Sequence, residues 1–124
     1  MPELKKLSHD GIPSALEKAE RYRLLNEPWA AESICRDILA IEPRHQRALV
    51  ELVLALTEQF GTSGFTPAAE VRGFVAMFDS EYARAYYGGI VSERLAKAQL
   101  GRGGPGSGHN AYAHLQEAMD AYEK

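Results

Sequence analysis

The sequence predicts an all-α protein of about six helices. Apolar residues recur at spacings of three and four rather than two. Prolines and cap-forming residues stand where those stripes begin and end. No run of alternating apolar and polar residues offers a strand. Pro13 opens a first helix to about Leu25, and Pro28 opens a second to about Ile41; proline suits the first turn, where its missing N–H has no helical partner to lose. Pro43 stops the second helix. A third, from about Arg44 to Phe60, carries Leu49, Leu52, Val53 and Leu56 on one face and ends at Gly61.

Thr66 followed by Pro67 reads as an N-cap with a first-turn proline for a fourth helix over about 67–78, striped by Val71, Phe74, Val75 and Phe78. Asp79 and Ser80 offer caps for a fifth helix running to about Leu100, weakened locally by Gly88 and Gly89. A sixth, from about Asn110 to Lys124, places Leu115, Ala118, Met119 and Tyr122 on one face. The chain stops while that helix is still running, as expected of a piece of a longer protein.

At 124 residues, 45% apolar and 25% charged, the chain has the length and composition of one globular domain. A net charge of −3 gives no broad basic footprint, so nucleic acid is not an expected partner. Cys35 is the single cysteine, which excludes an intrachain disulfide and a multi-cysteine zinc site. The N-terminal MPELKKLSHDG lacks the apolar region of a signal peptide, and no stretch approaches the roughly 18 apolar residues of a membrane span. The expectation is a cytoplasmic protein without a membrane partner.

A shift of 34 residues superposes Ala15, Lys18, Ala19 and Tyr22 on Leu49, Leu52, Val53 and Leu56. On these residues the sequence resembles the tetratricopeptide repeat family, whose period is 34. The match is best over residues 12–45, where Ala19, Tyr22, Ala31, Cys35 and Pro43 fall at the family's spacings, and Ala118 with Tyr122 repeats the pattern near the end. It departs at Lys18, Ala15 and Cys35, in a longer turn before Pro67, and in a glycine-rich insertion. The resemblance implies antiparallel hairpins, about 12–45, 46–79 and 80–124, stacked as a right-handed superhelix within one domain.

The resemblance also implies a concave groove that receives a peptide or partner helix, lined here by Leu16, Glu20, Arg23, Arg47, Val50 and Leu54. Arg84, Tyr87, Val91 and Arg94 join it if the third hairpin aligns by Tyr86. A second reading of Val50, Leu54 and Val91, that they simply pack between hairpins, stays open beside it. A hydrophobic segment of some acidic character would suit the aliphatic residues and arginines. Leu16 and Glu20 occupy the positions of the family's carboxylate clamp, which disfavours a chaperone-tail ligand. The expected role is a non-catalytic interaction module or scaffold that needs no cofactor.

Two alternatives stand beside the groove. No seventh helix follows to cover Leu115, Met119 and Tyr122, so that face is a candidate for self-association as a homodimer. The stretch GRGGPGSGHN contains a GxGxxG in Gly101, Gly103 and Gly106, and the N–H groups at the start of the sixth helix, with Arg102 near, suggest an anion or nucleotide site. In a dinucleotide fold that fingerprint follows a strand and precedes an acidic residue by about 20 positions. Here it follows the helical ERLAKAQL with 18 residues remaining after Gly106, and it reads as a loop over about 101–109 within the third hairpin.

His109 and His114 lie five apart, about 140° around a helix, unlike a zinc-binding pair at i, i+4. His9 and His45 stand beside helix starts without a ligand partner at metal spacing. Cys35 reads as a buried packing residue on the inner face of the second helix. The run EKAERYR, with Glu17, Glu20, Arg21 and Arg23, reads as a helix surface carrying ion pairs.

Overall fold

The computed structural model of the chain describes residues 8–62 and 66–102, the last two by their backbone alone. A 3-10 turn at His9–Gly11 leads into α1 (Ile12–Leu24), α2 (Pro28–Ile41), α3 (Gln46–Glu58), α4 (Ala68–Val75) and α5 (Glu81–Arg102). Every regular element among the described residues is helical, so the fold is all-α. The expected sixth helix, with Leu115, Met119 and Tyr122, lies outside the described residues, as do Gly103–Gly108 of the glycine-rich stretch.

The first two helices are fixed by their shared turn. The Glu27 N–H donates to the Tyr22 carbonyl at 2.8 Å and the Asn26 N–H to that of Arg23 at 2.9 Å, closing α1 in a Schellman turn. Asn26 takes the left-handed conformation this requires, with φ 63°, which asparagine tolerates better than most residues. Only Leu25, Asn26 and Glu27 separate the helices, so α2 returns antiparallel to α1, with Pro28 in its first turn.

α3 begins two residues later than the spacing predicts. His45 takes the N-cap position, where its Nδ1 accepts the Ala48 N–H at 3.2 Å. Arg44, left outside the helix, instead donates to the Met77 carbonyl at 3.0 Å and pairs with Asp79 at 3.2 Å. α4 is shorter than expected: Pro67 rather than Thr66 holds its N-cap position. After Val75 the chain tightens, with N–H bonds from Met77 to Phe74 and from Phe78 to Val75. Ser80 caps α5 as its sequence suggests, its Oγ accepting the Ala83 N–H at 3.2 Å. α5 then runs through Gly88 and Gly89 to Arg102.

Helices α1 and α2, and α2 and α3, pack as antiparallel neighbours; α1 also touches α3, and α3 touches both α4 and α5, which pack on each other. The α3 stripe of Leu49, Leu52, Val53 and Leu56 is almost wholly buried. Each such side chain contributes about 2 kcal/mol by leaving water. It meets Ala19, Ala31 and Cys35 from α1 and α2, and Val71, Phe78 and Val91 from the second half. A smaller cluster of Ile12, Leu16, Ile38 and Ala48 continues the core toward the start of α1, and Ile34 and Leu39 pack against both clusters. Among the described residues no helix is long and apolar enough to cross a membrane.

Candidate partner-binding face

Because α3 touches both α1 and α5, these three helices lie side by side and present a common face. The charged residues of that face are bonded to one another across the helices. Arg23 of α1 donates from Nε to both oxygens of Glu58, at 3.0 and 3.1 Å, and from Nη1 to Oε2 of Glu51 at 2.8 Å, both carboxylates belonging to α3. Burial lowers the Arg23 pKa, but the hydrogen bonds and charges of Glu51 and Glu58 outweigh that and leave it raised. Arg94 of α5 donates to the Leu54 carbonyl at 3.2 Å and to Thr57 Oγ1 at 2.8 Å, with Glu58 Oε2 at 3.8 Å. Glu58 thus stands between two arginines from different helices.

At the other end of the face exposed Arg47 pairs with half-buried Glu20 at 3.1 Å. Arg84 donates to the Phe78 carbonyl, securing the turn that precedes α5. Tyr87 is half-buried, its ring 5.2 Å from Phe78 and edge-on to Tyr86 at 5.1 Å. Burial raises its hydroxyl pKa, with the charges of Tyr86 and Glu51 adding to the shift.

Apart from Arg84 and Tyr87, the groove residues expected from sequence separate into three groups. Leu16 and Val91 are buried and belong to packing. Val50 and Leu54 are half-buried, Val50 against the main core cluster. Glu20, Arg23, Arg47 and Arg94 share in ion pairs or bonds that hold α1, α3 and α5 together. The partners Glu51 and Glu58 were missed by the sequence reading, although Arg47, Glu51, Leu54 and Glu58 follow one another at four, three and four on a single α3 face. That spacing was the available signal.

A second feature absent from the sequence reading lies where α1 and α3 end. Asn26, Pro28, Trp29, Glu58, Gln59 and Thr62 line an open pocket of about 460 Å³. Trp29 is 60% exposed on its wall, and Leu24 and Leu25 beside it in sequence are exposed as well.

The remaining candidates are placed as follows. Cys35 is fully buried, as its position predicts, and burial, with the charge of Glu51, pushes its thiol up to about 12. His9 lies 3.1 Å from Glu42. Among the described residues no three His, Cys, Asp or Glu side chains stand together as metal ligands. His109 and His114 lie outside those residues. Of the glycine fingerprint, Gly101 and Arg102 belong to α5. The anion site expected at the start of the sixth helix lies outside the described residues. Searches of protein-family models, of curated protein sequences and of solved structures each return no match for this chain.

Proposed function

We propose that the chain is a non-catalytic interaction module of tetratricopeptide-like hairpins, acting in the cytosol, which holds a peptide or partner helix along the face formed by α1, α3 and α5. The observation that carries this reading is that face itself: three helices aligned by their ion pairs, with half-buried Val50, Leu54 and Tyr87 between the charged residues. Aromatic and arginine side chains among aliphatic ones are the composition interface centres favour. The full burial of Ala19 and Ala31 supports the hairpin reading, because small residues at these positions let α1 and α2 approach closely. Burial, which holds the Cys35 thiol up to about 12, removes that residue as a candidate nucleophile at neutral pH.

A photo-cross-linking residue at Leu54 tests the proposal, with one at exposed Asp37 on α2 as control. A single protein captured at 54 and not at 37, and lost with Val50→Gln, is the expected result. Equal capture at both positions would remove the face from consideration.

A further inference from the structure

The pocket at the ends of α1 and α3 sets one exposed aromatic face among polar side chains. Asn26, Pro28, Trp29, Glu58, Gln59 and Thr62 line it, and its volume of about 460 Å³ lies in the range of small-molecule sites. It shares only Glu58 with the α1, α3 and α5 face and does not rest on the reading of that face as a docking surface. We infer that this pocket binds an uncharged polyhydroxyl ring, a sugar of one or two units, stacked on Trp29.

Trp29 is 60% exposed, a large apolar surface to leave in water. The face of its indole carries the negative part of the ring quadrupole and attracts the weakly positive C–H bonds of a saturated ring laid against it. The side chains around it are mostly acceptors. Gln59 spends its amide N–H groups on Glu32 at 3.0 Å and on the Ala55 carbonyl at 3.1 Å, which leaves Oε1 to accept. Thr62 donates to the Gln59 carbonyl at 2.6 Å, so its hydroxyl too is left to accept. Glu58 accepts as a carboxylate, while the amide of exposed Asn26 and the Trp29 indole N–H supply donors. A ligand that meets this set donates several hydrogen bonds, accepts one or two, and keeps one face apolar. Hydroxyl groups fanned around a pyranose do all three. A nucleobase also stacks on an indole, but its edges carry as many acceptors as donors, which Gln59, Thr62 and Glu58 do not serve.

Charge decides against an ionic ligand. Glu58 is the only charged side chain among the lining residues, so an anion meets a carboxylate and no cation. The α2 N-terminus gives it no cradle: Pro28 has no N–H, and those of Ala30 and Ala31 go to the Glu27 carbonyl. A cation meets the opposite obstacle. Glu58 already accepts from Arg23 at 3.0 and 3.1 Å and lies 3.8 Å from Arg94, so a third positive charge would be set beside two. A neutral ligand escapes both penalties.

The test is a titration of the ¹⁵N-labelled full chain with maltose, cellobiose, lactose and N,N′-diacetylchitobiose, following the Trp29 indole and Asn26 side-chain amide signals. Adenine and N-acetylarginine amide serve as the planar and the cationic competitor. The expected result is saturable movement of both signals with at least one disaccharide. Its affinity should fall about tenfold or more in Trp29→Ala. It should fall about threefold or more in Asn26→Gly, which keeps the left-handed turn and removes the amide. Both positions are exposed, so each variant should keep the helicity of the parent by circular dichroism. Signals that no disaccharide moves at tens of millimolar would overturn the inference, as would binding that either variant leaves unchanged. Tighter binding of adenine or N-acetylarginine amide than of every sugar would overturn the ligand class.

Discussion

Cys35 shows how far one residue's surroundings decide its chemistry. Its thiol is held up to about 12 by burial, against about 9 in an unfolded chain. Below about pH 9 both states are protonated and the thiol's contribution to stability is complete. Between about 9 and 12 only the unfolded state ionises, so stability falls with rising pH by about 1.4 kcal/mol per unit. Urea titrations at pH 8 and pH 10.5 should show a larger loss in the parent than in Cys35→Ala, which keeps only the loss from other raised groups such as the Tyr87 hydroxyl. At pH 8 the native thiol should also resist a disulfide reagent that labels the urea-unfolded chain at once. Arg23 makes the opposite case, a charge retained by its partners. Arg23→Ala strands Glu51, which is 7% exposed, and should cost about 3 kcal/mol in urea unfolding. Adding Glu51→Leu should restore part of that, because the stranded carboxylate is then gone.

Helix ends were legible in the sequence wherever a residue's backbone geometry left no choice. Pro28 and Pro43 bracket α2, whose bounds Pro28–Ile41 agree with the sequence reading. The ends that differ were set by side chains reaching across the fold. Arg44 was counted as helical because nothing local forbids it, whereas its bonds run to Met77 and Asp79, more than thirty residues on. The candidate face divides the same way: its residues could be placed on helix faces by spacing, but Glu51 and Glu58 become partners of Arg23 only once α1 lies against α3. Gly61 gives a test at this scale. Its φ of 88° disfavours any Cβ, although one would sit at an ordinary 3.5 Å from that of Ala98. Gly61→Ala should therefore cost about 1 kcal/mol from backbone strain alone, without loss of helicity. A cost several times larger would mean that the contact with α5 is tighter than this spacing implies.

Over the described residues the helices share a continuous core, since Ile34 and Leu39 of α2 pack against both apolar clusters. The early helices should not melt apart from the later ones. In urea, loss of helicity by circular dichroism and exposure of the Cys35 thiol should share one midpoint, as a two-state transition requires. Separate midpoints would show that the contacts of α3 with α4 and α5 are too few to couple the halves. The sole tryptophan of the chain adds a property of practical use. Trp29 stands 60% in water at the mouth of the pocket between the ends of α1 and α3. Its fluorescence in the native protein should therefore lie close to that of a solvated indole and change little on unfolding. A blue shift in its emission would signal a molecule settling at that end of the helices.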